Sequence, residues 1–82
     1  MHETHILNEI LGMVKESIKD RKVKEVKRIK VSVGVIKMLT PEGMRETFKI
    51  LPKEEIFNST DLEVNIIPGN DVRVEEVESI EE

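Results

Sequence analysis

His2 and His5 are the only histidines in the chain, and both fall within its first five residues. A bulky residue at position two blocks removal of an initiator methionine, so Met1 is expected to keep a free α-amine. That amine, the amide nitrogen of His2 and the Nδ1 of its imidazole can close two adjacent chelate rings around one ion. The amide of Glu3 can complete a plane of four nitrogens, a tetragonal donor set that suits Ni(II) or Cu(II). His5 lies three residues on, one helical turn away, and can act as an outer or alternative ligand. The competing reading is plain: histidines at chain ends are usually frayed and solvated, and His5 can equally be a solvated residue of a first helical turn.

The other polar groups offer less. Glu54-Glu55 and Glu75-Glu76 read as solvated charges on a polar segment and an exposed strand. Ser17, Ser32, Ser59 and Ser79 have no histidine in a triad arrangement. Asn58-Ser59-Thr60 matches a glycosylation sequon but reads as loop without a secretory signal. Gly34 and Gly69 do not stand in a phosphate-binding loop. No enzyme is expected.

Composition narrows the classes further. The 82 residues contain no cysteine, which rules out a disulfide framework, a thiolate zinc site and a cysteine nucleophile. No zinc is expected. No secretory pattern opens the chain and no apolar run can span a bilayer, so a soluble cytoplasmic protein without membrane partners is expected. Residues 15–30 are rich in Lys and Arg, but the net charge is −4 and the only aromatics are Phe48 and Phe57. Without stacking platforms, nucleic acid is not expected as a partner.

The elements that must position the terminus follow from periodicity. Ile6, Leu7, Ile10, Leu11, Val14 and Ile18 recur at spacings of three and four, which draws one apolar stripe down a helix started by Glu3 or Thr4. Ile29, Val31, Val33 and Val35 alternate with Arg28, Lys30, Ser32 and Gly34 as in a strand buried on one face. Val23 and Val26, out of phase with each other, predict a bulge or a late start to that strand. Thr40-Pro41-Glu42 opens a second helix with a capping hydroxyl and a proline at its first position; Met44, Phe48 and Leu51 are its buried stripe, and Pro52 ends or kinks it. Leu62, Val64 and Ile66 form a second strand. After the turn Pro68-Gly69-Asn70-Asp71 a third strand runs from Val72 toward Ile80, and so short a connection predicts an antiparallel hairpin. The crossover helix favours parallel first and second strands. The expected fold class is α+β, in the order α-β-α-β-β, with two helices on one face of a mixed three-stranded sheet of undecided strand order. Residues 1–82 are expected to form a single domain, its core drawn from Ile10, Leu11, Val14, Val31, Val33, Phe48, Leu51, Val64 and Val74.

The chain resembles the HypA family of hydrogenase and urease nickel-incorporation proteins. Met1-His2-Glu3 followed by an apolar helix carries the resemblance, which continues through Val33-Gly34, Pro41-Glu42, Phe48, Leu62-Glu63-Val64 and Gly69-Asn70-Asp71-Val72-Arg73-Val74. It implies a metallochaperone that holds Ni(II) through the N-terminal amine and His2, passes it to a GTPase maturation partner, and so on to apo-hydrogenase or urease. Three features differ from the family pattern. Members carry a zinc domain with two Cys-x-x-Cys pairs where Pro68-Gly69 joins the strands here. Val35 stands where many have a glutamate, and Thr40 where an acidic residue is common. The candidate metal residues are therefore Met1, His2, Glu3 and His5, and the oligomeric state, a homodimer included, is left open. The alternative is a metal-free interaction module that kept the scaffold after losing the zinc domain.

Overall fold

The computed structural model describes residues 2–82, with the side chain of His2 outside the described set. Helix α1 spans His2–Ile18, strand β1 Val23–Gly34, helix α2 Pro41–Ile50, strand β2 Asp61–Ile67 and strand β3 Val72–Glu81. Two 3-10 turns intervene, over Val35–Lys37 and Glu55–Phe57. The expected order α-β-α-β-β and the α+β class are what the molecule adopts.

Each element forms for a local reason and is kept by burial. The whole α1 stripe, Ile6, Leu7, Ile10, Leu11, Val14 and Ile18, is buried. Thr40 Oγ1 accepts the Gly43 N–H at 3.0 Å, and Pro41 supplies the fixed φ of the first helical residue. Leu51 leaves the helix in an extended conformation, as the residue before a proline prefers. Both helices lie over Ile29, Val31 and Val33 of β1, which are fully buried, with Met44, Phe48 and Phe57 filling the space between. Leu51, Val64 and Val74, expected in the core, are partly buried at its margin. The opposite face of the sheet is charged: Arg28 bridges Glu63 at 3.0 Å and Glu78 at 3.2 Å, and the buried Ser32 donates to Glu75 at 2.7 Å.

The expected hairpin between the second and third strands does not form. Strand order is β2-β1-β3, with β1 parallel to β2 and antiparallel to β3. The residues Pro68–Asp71 do not reverse the chain beside β2; they carry it across the end of β1 to the other edge. Gly34 makes the crossing physically available. Its N–H donates to Asp71 O at 2.7 Å and that of Ile36 donates to Gly69 O at 3.1 Å. A Cβ on Gly34 would stand only 2.4 Å from Gly69 O. With φ −63° and ψ 137° Gly34 is ordinary extended backbone, so it is the close approach that requires glycine. Gly69, at φ +97° with open space around it, is required by conformation instead.

Two further details differ from expectation. β1 starts at Val23, earlier than the alternation from Arg28 indicates, and register shifts at Val23/Glu25 and Val26/Arg28 show the bulge that the out-of-phase valines predict. Val35 is not part of the strand: it opens a 3-10 turn and is 56% exposed, because the chain has already turned away beneath the crossing.

Candidate metal site

The start of α1 and the start of α2 meet at one end of the sheet. α2 begins there because it follows β1, and α1 begins there because it runs back along β1 before the turn at Asp20-Arg21-Lys22. Glu3 records the contact. It is half-buried, and its Oε2 lies 3.5 Å from the position a Cβ would take on Gly43, in the first turn of α2. A carboxylate beside the opening N–H groups of a helix is stabilised by the positive end of the peptide dipoles. Glu42, in the same turn, reinforces that negative charge. The bare Cα of Gly43 leaves room for both the Thr40 cap and Glu3.

Of the four sequence-predicted site residues, Met1 lies outside the described residues, and so does the His2 side chain. The backbone of His2 opens α1. Glu3 is placed against α2 as above. His5 projects from the exposed side of the first turn, with Nε2 3.8 Å from Glu9 Oε2 one turn further along. Among the described residues no group of three or more His, Asp or Glu side chains converges as a metal site. Val35 and Thr40 occupy the positions where the resemblance led one to look for acids; Val35 is exposed and Thr40 is committed to its cap.

The opening of α1 matters chemically through its backbone. The first N–H groups of an α-helix have no acceptor within the helix. A helix beginning at His2 therefore leaves that residue's amide outside the intrahelical ladder, where it can lose its proton to a metal without breaking a helical bond. A divalent ion held by two ionised amides would be a neutral assembly, which the positive end of a helix would not oppose. Sequence reasoning singled out the terminus as a candidate but did not foresee the seat of Glu3 against Gly43; the available signal was a glycine three residues after a capping threonine. Among the described residues no helix is long and apolar enough to cross a membrane.

Comparison with known proteins finds relatives of one kind. The chain is 26% identical over 68 residues to the hydrogenase maturation factor HypA of Moorella thermoacetica, covering 83% of this chain and 60% of that protein. It is 25% identical over 69 residues to the HypA of Methanocella arvoryzae, covering 84% and 61% of the two chains. With the HypA of Lawsonia intracellularis the identity is 28% over 68 residues, covering 83% and 58%. The chain thus spans about three fifths of the length of these curated relatives. No solved structure matches it at comparable significance. The family model described as hydrogenase/urease nickel incorporation, metallochaperone, HypA matches residues 1–78, its opening Met1-His2-Glu3 included, and the chain belongs to that family.

Proposed function

We propose that this protein is a nickel-binding, metallochaperone-like domain, not an enzyme. It holds Ni(II) at Met1-His2-Glu3 and assists nickel insertion into a metalloenzyme such as [NiFe]-hydrogenase. The observation that carries the reading is Met1-His2-Glu3 at the head of a chain that belongs to the HypA family. The start of α1 at His2 supports it, because the in-plane amide of that residue is outside the helical ladder. In this reading nickel is cargo. The α-amine, the His2 amide and imidazole and the Glu3 amide form the plane, the Glu3 carboxylate ties the opening of α1 to α2, and His5 stands by as an outer ligand. A GTPase maturation partner and an apo-hydrogenase or urease are the proposed recipients, in the cytoplasm, with one domain of 82 residues carrying the metal.

Calorimetric titration with Ni(II) near neutral pH tests this on three untagged forms: the chain itself, His2→Ala, and a chain extended ahead of Met1 by one residue. The expected result is about one Ni(II) per native chain, with the weak visible absorption of a square-planar centre, and no such site in the other two, whose melting curves stay unchanged. His5→Ala costs much less. Equal binding by all three forms, or by none, removes the terminal site and leaves the metal-free interaction module as the reading.

A further inference from the structure

Gly43 is the third residue of α2, and neither propensity nor backbone conformation calls for glycine there. Glycine is a poor helix former, and the described glycine with a positive φ is Gly69, not this one. What Gly43 supplies is space. A Cβ at this position would stand 2.9 Å from Thr40 Oγ1 and 3.5 Å from Glu3 Oε2. The third position is also where helices favour a glutamate, because a carboxylate there lies beside the free N–H groups of the opening turn. α2 carries no acid of its own at that position, and the carboxylate beside it comes from α1. We propose that Glu3 supplies this acid from the other helix, that Gly43 is glycine so as to admit it, and that the seat positions the metal-binding terminus. The positioning role rests on the nickel reading above.

The two tasks of Glu3 use different atoms. Its amide nitrogen belongs to the proposed plane of four nitrogens, whereas its carboxylate lies against Gly43. One task does not displace the other. Chain ends fray unless they are tied down, and a half-buried side chain seated on a second helix ties down the backbone two residues from the amine. A ligand set that is assembled only part of the time binds more weakly, in proportion to the fraction assembled. Gly43 therefore acts on nickel affinity without touching the ion. It is a positioning residue, and its contribution is the absence of a side chain. Any residue at position 43 that brings its own carboxylate to the turn competes with Glu3 for the same place, and like charges drive Glu3 and the terminus off α2.

The test uses untagged 82-residue chains: the parent, Gly43→Ala and Gly43→Glu, each with and without Glu3→Gln. Both substitutions at Gly43 crowd the Thr40 hydroxyl alike, and alanine meets Glu3 only in ordinary contact at 3.5 Å, so their difference isolates the added acid. In urea melts, Glu3→Gln is expected to lower the folding constant roughly two- to fivefold in the parent and in Gly43→Ala, and to leave it unchanged or raise it in Gly43→Glu. Calorimetric titration with Ni(II) near neutral pH follows on the three chains that keep Glu3. Gly43→Glu is expected to weaken nickel roughly fivefold or more, with Gly43→Ala within about twofold of the parent. Charge alone predicts the reverse, since an added carboxylate attracts a cation. The seat is overturned if Glu3→Gln costs the same in all three backgrounds. The positioning role is overturned if Gly43→Glu binds nickel as tightly as the parent or more so. A parent that binds no nickel removes the reading beneath the positioning role and the role with it, while the melts still decide the seat.

Discussion

Replacing Gly34 with alanine tests the account of the crossing directly. The added Cβ would lie 2.4 Å from Gly69 O, 2.6 Å from Gly69 C and 2.7 Å from Asn70 Cα. All three are backbone atoms, so no side chain can swing aside; the crossing itself must move. Overpacking of that kind costs about 1–3 kcal/mol. Displacing the crossing also loosens the hydrogen bonds from Gly34 N–H to Asp71 O and from Ile36 N–H to Gly69 O, each worth about 0.5–1.5 kcal/mol. A loss near 3 kcal/mol is therefore expected, against a total stability of about 4–12 kcal/mol for a chain of this size. For a domain of this length that corresponds to a fall in Tm of roughly 12–24 °C. The matched control is Gly12→Ala. Gly12 lies inside α1 with nothing within 4 Å of its Cβ position, and alanine there should stabilise by about 0.5–1 kcal/mol. The same chemical change thus has opposite signs at two glycines. Thermal and urea melts followed by circular dichroism measure both. A Gly34→Ala protein within about 1 kcal/mol of the parent would refute the packing argument.

Other outcomes follow from the same geometry. Thr40→Ala removes the acceptor for the Gly43 N–H and should cost about 0.5–2 kcal/mol in urea melts, with Thr40→Ser restoring most of it. Stripping with chelator should leave Tm within a few degrees, since the core is drawn from every major element and needs no ion; elemental analysis should find no stoichiometric zinc. Nickel affinity should fall between about pH 8 and pH 6, because an α-amine and an imidazole ordinarily titrate near 7.7–8.0 and 6.5 and protons displace the metal. Cu(II) should bind the same terminus more tightly than Ni(II) in competition titrations.

The helices were the most legible part of the sequence, because their signals are local. A stripe at spacings of three and four and a Thr-Pro-Glu opening each specify one element without reference to any other, and Ile6 to Ile18 are buried as that stripe requires. The central place of β1 was not legible. Pro68-Gly69-Asn70-Asp71 is as good a turn for a hairpin as for a crossing. What separates the two is a steric fact between residues 35 positions apart, the missing side chain at Gly34 beneath the carbonyl of Gly69. No spacing rule reads that. The candidate site divides the same way: the donor types of Met1-His2-Glu3 stand in plain order along the chain. The seat of Glu3 against Gly43 depends on two helices opening at the same end of a sheet.

The central position of β1 also sets the order in which the molecule can be assembled. Strand β2 closes one side of β1, but the other side waits for β3, which follows β2 in sequence. The contact from Arg21 to Glu81 spans 60 positions. Such distant pairings incur loop-closure entropy before they return any stabilisation, and they slow folding relative to local ones. As the chain emerges during synthesis, α1 and α2 can form within their own sequence, while Ile29, Val31 and Val33 remain in a sheet that lacks one strand. The ten-residue β3 then completes the described sheet, and Gly34 must still be uncovered when Pro68–Asp71 passes over it.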